Sequence, residues 1–120
     1  MSSKVIFVVD DEAVIADTLA IILRHAGFVA KPFHHPEEAL LAVETVVPDL
    51  LISDVFMPGM TGVELAHRVR AQSSECRIFL FSGQQNAMSI LEREQGKVDF
   101  TIIPKPIHPT ELLALIHDNN

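Results

Sequence analysis

Five short apolar runs, four of them leading into a stretch with helical spacing and the second into a proline-led helix start, constrain this chain more than any other feature. Val5-Ile6-Phe7-Val8-Val9 is β-branched and aromatic, fits a buried strand and stops at Asp10-Asp11. Ile15, Leu19, Ile22, Leu23 and Ala26 follow at helical spacing, and Gly27 suits the position just past a helix end. Phe28-Val29-Ala30 reads as a second strand, and Pro36-Glu37-Glu38 as a helix start with proline and acids in the first turn. Leu50 to Ser53 forms a third strand ending at Asp54, and Thr61-Gly62-Val63-Glu64 is a capping-box pattern ahead of Leu65 and Val69. Arg77 to Phe81 is the fourth strand, ending at Ser82-Gly83, and a weakly patterned helix is expected over Gln84 to Gln95. Val98 to Ile103 is the fifth strand, and the last helix opens at Pro109-Thr110-Glu111 and carries Leu112, Leu113 and Ile116. Such alternation predicts an α/β fold: a parallel sheet, apolar on both faces because helices cover both.

The polar residues at the strand ends carry the chemistry. The first strand ends at Asp10-Asp11, the third at Asp54, the fourth at Ser82 and the fifth near Lys105. In an open parallel sheet, ligands bind outside the carboxyl ends of the strands where the strand order reverses. With the order 2-1-3-4-5, the first and third strands are neighbours at that point. Asp10, Asp11 and Asp54 then share one pocket flanked by Ser82 and Lys105. Carboxylates that close repel one another unless a cation neutralises them, and a hard divalent ion such as Mg²⁺ suits oxygen ligands. Lys105 and Ser82 supply a point charge and a hydroxyl for phosphate oxygens. Asp54 is then placed to attack phosphorus as a carboxylate nucleophile.

Charge and composition exclude several other classes. Nine Lys and Arg against 16 Asp and Glu give a net charge of −7, contrary to a protein that reads nucleic acid through its phosphates. The single cysteine, Cys76, excludes an intramolecular disulfide and a cysteine zinc site, and its position suits an inert small residue. No apolar run approaches the length of a membrane span, and Met1-Ser2-Ser3-Lys4 leads into a strand too soon for a signal peptide. The expectation is one soluble, cytoplasmic domain over residues 1–120. His34-His35 reads as a surface turn. Val14 and Ile21, seven residues apart, lie opposite the core face of the first helix.

With these residues in place, the sequence resembles the receiver domains of two-component response regulators, of the chemotaxis-regulator kind, over essentially its whole length. The matching pieces are Asp10-Asp11, the run from Asp54 through Val55-Phe56-Met57-Pro58-Gly59-Met60-Thr61 to Gly62, then Ser82-Gly83 and Lys105-Pro106. The resemblance implies a flavodoxin-like, doubly wound (βα)5 domain. It implies that Asp54 accepts a phosphoryl group from the phosphohistidine of a sensor histidine kinase or phosphotransfer protein. Asp11 and Asp54 would ligate Mg²⁺ directly, Asp10 mainly through water, and the backbone carbonyl of Phe56 would be the third protein ligand. Lys105 would hold the phosphate, Ser82 would move to bond it, and the Lys105-Pro106 peptide would be cis. An output partner or fused output domain, and a homodimer, are compatible with this reading and are not identified by it.

Three positions depart from the usual pattern. Ile102 stands where receivers carry an inward-turning Tyr or Phe, with Phe100 two residues earlier on the same strand face. Gly83 replaces a common alanine. Phe56, two residues after Asp54, is bulkier and less polar than many residues there, which implies shielding of the phosphoryl group and slow loss of it. Ile102 leaves room for a receiver-like interaction module that is not phosphorylated. A Mg²⁺-dependent aspartyl phosphatase fits less well, because Asp54-Val55-Phe56 lacks the second acid of the Asp-x-Asp pattern.

Overall fold

The computed structural model describes residues 4–83 and 100–118. In chain order the elements are β1 (Val5–Val9), α1 (Ala13–His25), β2 (Val29–Phe33), α2 (Pro36–Val43), β3 (Leu50–Asp54), α3 (Gly62–Gln72), β4 (Arg77–Ser82), β5 (Thr101–Pro104) and α4 (Pro109–Asp118). All neighbouring strands are parallel and the order is β2-β1-β3-β4-β5, as the sequence predicts. The helix expected over Gln84 to Gln95 lies outside the described residues, as do the first two residues of the expected fifth strand.

Strand alternation divides the apolar side chains between two cores. Phe7, Val9, Leu51, Ile78 and Leu80 pack with Ala39 and Val43 of α2 and with Leu65, Ala66 and Val69 of α3. Ile6, Val8, Leu50, Ile52, Phe79 and Phe81 pack on the other face with Ala16, Ala20 and Leu23 of α1 and with Leu112 and Ile116 of α4. Both faces of the sheet are thus covered, which is why β1 and β3 are continuous apolar runs rather than alternating ones. Full burial of each Leu, Ile or Phe contributes roughly 1.5–3 kcal/mol.

Two local expectations shift. The second strand runs over Val29–Phe33 rather than Phe28 to Ala30. Phe28 belongs to the end of α1 instead. Gly27 takes φ +100°, its N–H bonds Arg24 O at 3.0 Å, and Phe28 N–H bonds Leu23 O at 3.1 Å. This is a Schellman closure, in which the residue after the left-handed glycine reaches back to the last turn. Lys31-Pro32-Phe33 gives little strand signal, yet among the described residues β2 pairs only with β1 and can hold Pro32 because one edge of it needs no partner.

The second shift concerns the inner face of α1. Its buried residues are Ala16, Ala20 and Leu23, while Ile15 is 36% exposed and Ala26 is exposed. The small alanines let the helix lie close on the sheet. The larger Ile15, Leu19 and Ile22 turn sideways and line a groove of about 400 Å³ against Pro106, Ile107 and Leu112. Val14 and Ile21 are exposed, as expected.

Candidate functional site

Parallel strand order brings the carboxyl ends of β1, β3, β4 and β5 to one edge, and the polar residues that follow them meet there. Asp10 comes directly after β1. Its N–H extends the ladder to Phe33 O at 3.1 Å, and its Oδ1 accepts the Glu12 N–H at 3.0 Å. Asp10 is thereby fixed and almost fully buried, while Asp11 is exposed. Asp54 is the last residue of β3 and is half-buried. Carboxylate oxygens of Asp10, Asp11 and Asp54 lie within 4.8 Å of one another.

The loop after β3 is anchored at both ends. Val55 N–H bonds Phe81 O at 3.0 Å, and Gly62 N–H bonds Val55 O at 2.8 Å. A Cβ on Gly62 would stand 2.2 Å from the Asp54 carbonyl oxygen, so only glycine lets α3 begin this close to the end of β3. Thr61 caps α3 by accepting the Glu64 N–H at 3.1 Å, and its hydroxyl faces Glu64 Oε1 at 3.4 Å. Gly59 takes φ +86° in the turn between them.

Lys105 completes the site from the far side. Its Nζ is 3.0 Å from Asp54 Oδ1 and 3.5 Å from Asp10 Oδ2. The Lys105-Pro106 peptide is cis, as the resemblance implies. Lys105 N–H bonds Ser82 O at 2.9 Å, which ties the ends of β4 and β5 together. Asp11, Glu12, Asp54, Phe56, Ser82, Gly83 and Lys105 line one cavity of about 330 Å³. Ser82 is buried in its wall, and Phe56, 39% exposed, stands at its rim.

The electrostatics follow from crowding. Burial pushes the Asp54 carboxyl above its ordinary range, the Lys105 ammonium pulls it back, and the charges of Asp10 and Asp11 push it up again; the net direction is up. For Lys105, burial alone would lower the pKa, but the hydrogen bond to Asp54 and the charge of Asp10 prevail and hold it above its usual value. Two of the three carboxylates, those of Asp10 and Asp54, therefore share the Lys105 ammonium, and the oxygen-rich cluster of all three can hold a metal ion.

Residues outside this cluster fall as expected. His34 Nε2 meets Asp17 Oδ1 at 2.8 Å and His35 is exposed, both at the surface. Cys76 is buried and its thiol is pushed up to about 11, far from a reactive thiolate. Phe100 fills the first core and Ile102 packs half-buried against it. Two site residues escaped the sequence reading. Glu12 was overshadowed by the acidic pair before it. Gly62 was read as part of a cap, although a glycine at the first position of a capped helix is a signal of close approach.

An acid cluster with a lysine at the switch point of a doubly wound sheet suits phosphoryl transfer, and with the family match over residues 6–117 it marks a phosphoacceptor signalling domain rather than a conventional enzyme. The chain belongs to the response regulator receiver domain family, whose sequence model matches residues 6–117. It is 36% identical over 111 residues to the DNA-binding response regulator MtrA of Mycobacterium tuberculosis, covering 92% of this chain and 48% of that one. It is 34% identical over 112 residues to the transcriptional regulatory protein FixJ of Bradyrhizobium diazoefficiens, covering 92% and 54%. The chain spans about half the length of these curated relatives. Among solved structures, the chemotaxis protein CheY4 of Vibrio cholerae superposes with a TM-score of 0.86 at 28% identity over 98% of both chains. Receiver domains pair with histidine kinases. Among the described residues, no helix is long and apolar enough to cross a membrane.

Proposed function

We propose that residues 1–120 form one receiver unit in which Asp54 accepts a phosphoryl group from the phosphohistidine of a sensor histidine kinase or phosphotransfer protein. The observation that carries this reading is the Lys105 ammonium, 3.0 Å from Asp54 and 3.5 Å from Asp10, beside a cluster of three carboxylates. A free Asp54 oxygen attacks phosphorus. The bond to the donor nitrogen breaks, and its electron pair leaves with the imidazole. Lys105 already touches the acceptor, so it holds the transferred group without moving far. Ser82, in the cavity wall, donates its hydroxyl to a phosphoryl oxygen.

Asp10, Asp11 and Asp54, with the backbone carbonyl of Phe56, would hold Mg²⁺, which when bound neutralises charge on the phosphoryl oxygens. Phosphorylation brings about −1.5 to −2 charges to the end of β3. The Lys105 N–H to Ser82 O bond gives that change a path into the β4 and β5 ends. The readout is a change in the surface those ends present to an output partner, a fused output domain or a second copy. We place the unit in the cytoplasm, and assign it no direct contact with nucleic acid, in line with its net charge of −7.

The test is direct. Incubated with phosphoramidate and Mg²⁺, the chain should gain the mass of one phosphate, and Asp54→Ala should gain none. Labelling that persists in Asp54→Ala rejects Asp54 as the acceptor, and no labelling of the native chain rejects the reading.

A further inference from the structure

Charge accounting in the cavity leaves one acid unexplained. Asp10, Asp11 and Asp54 carry three negative charges, and Lys105 with a bound divalent cation would carry three positive ones. Glu12 lines the same cavity, is exposed, and has no such counterpart among the described residues. It sits at the N-cap position of α1, yet its side chain makes no capping hydrogen bond. Only its backbone is engaged: its N–H donates to Asp10 Oδ1, and its carbonyl accepts from Ile15 and Ala16. Among the described residues the carboxylate is thus spare, and the other rim residues Phe56 and Gly83 bring no charge to offset it.

We propose that Glu12 selects the phosphodonor by the charge of its leaving group, an inference that rests on Asp54 being the acceptor. As the Asp54 oxygen–phosphorus bond forms and the bond to the leaving group breaks, the electron pair goes to the departing atom. From a protonated phosphoramidate or a phosphoimidazole the leaving nitrogen departs as neutral ammonia or imidazole. From acetyl phosphate the leaving oxygen departs as acetate, so the leaving group is an anion in the cavity that Glu12 lines. Glu12 therefore favours nitrogen donors and penalises carboxylate donors, while Phe56 offers an apolar surface beside a flat ring. A single like charge across a partly solvated cavity is worth about a threefold change in rate.

The experiment compares rates of mass gain of the intact chain with acetyl phosphate and with phosphoramidate, both with Mg²⁺. Glu12→Gln keeps the backbone bonds that hold Asp10, and should raise the acetyl phosphate to phosphoramidate ratio about threefold. Glu12→Lys should raise it further, and added salt should shrink the difference between variants. Glu75→Gln, just before β4 at the opposite edge of the sheet, should leave the ratio unchanged. An unchanged ratio in both Glu12 variants, with labelling of Asp54 intact, overturns the role of Glu12 alone. A ratio that moves equally in Glu75→Gln reduces the effect to net charge and also overturns it. Loss of labelling from both donors in the native chain overturns the acceptor reading itself.

Discussion

Asp54 illustrates how a single residue holds function against stability. Its carboxyl lies above the ordinary range because burial and two neighbouring acids outweigh the help of Lys105. A carboxylate whose folded pKa exceeds its unfolded one binds protons more tightly in the native state. Stability therefore falls as pH rises between the two values, and the penalty stays at neutral pH. Removing the charge should relieve it. In metal-free buffer at pH 7, Asp54→Asn should melt at a higher temperature than the native chain, and the gap should close toward acid pH. Mg²⁺ should reverse the order. A cation that binds only the folded state adds about 2.7 kcal/mol at a hundredfold excess over its Kd, which is several degrees in a domain of this size. Melting curves at pH 7 and pH 4, with EDTA or Mg²⁺, check both; an Asp54→Asn variant less stable than the native chain in EDTA would refute the charge argument.

At the level of elements, the sequence was most legible where periodicity and termination signals agreed. The apolar run of β1 ends at an acid and that of β3 includes it, so both place their site residues correctly. The reading slipped at α1 because helical spacing reveals an apolar face without saying which part of it meets the sheet. Ala16 and Ala20 won that place by being small, and Ile15 and Leu19 were left to the groove. It slipped at β2 because Pro32 masks a strand that an open edge permits. Gly62 was legible as helix start and not as contact, since a close approach between α3 and the end of β3 is set by tertiary packing. Gly62→Ala should therefore be destabilising, although alanine is the better helix former by about 1 kcal/mol. The added Cβ would meet the backbone of Asp54 and Val55, which cannot swing aside as a side chain can. A net loss of about 1–3 kcal/mol is expected from such overpacking, together with weaker Mg²⁺ binding as Asp54 is displaced. Urea denaturation and a metal titration of the variant check the two effects separately.

Across the whole molecule, the site depends on both cores at once. Asp54 and Ser82 end strands whose side chains alternate between the α2–α3 core and the α1–α4 core. The two cores lie on opposite faces of the sheet, and β3 and β4 lend residues to both, Leu51 and Leu80 to one, Ile52 and Phe79 to the other. Loss of either core should unpair the same strands, so the two are expected to fail together rather than as separate units. Leu65 in α3 and Leu112 in α4 are each fully buried, one in each core, and neither lines the acidic cavity. Leu65→Ala and Leu112→Ala should each cost about 2–5 kcal/mol. Both should lower the urea midpoint with the slope unchanged, and far-UV circular dichroism and loss of the Mg²⁺ response should trace one transition. Two resolved transitions in either variant would mean that the halves melt independently. The acids of β1 and β3 would then owe their convergence to one core alone.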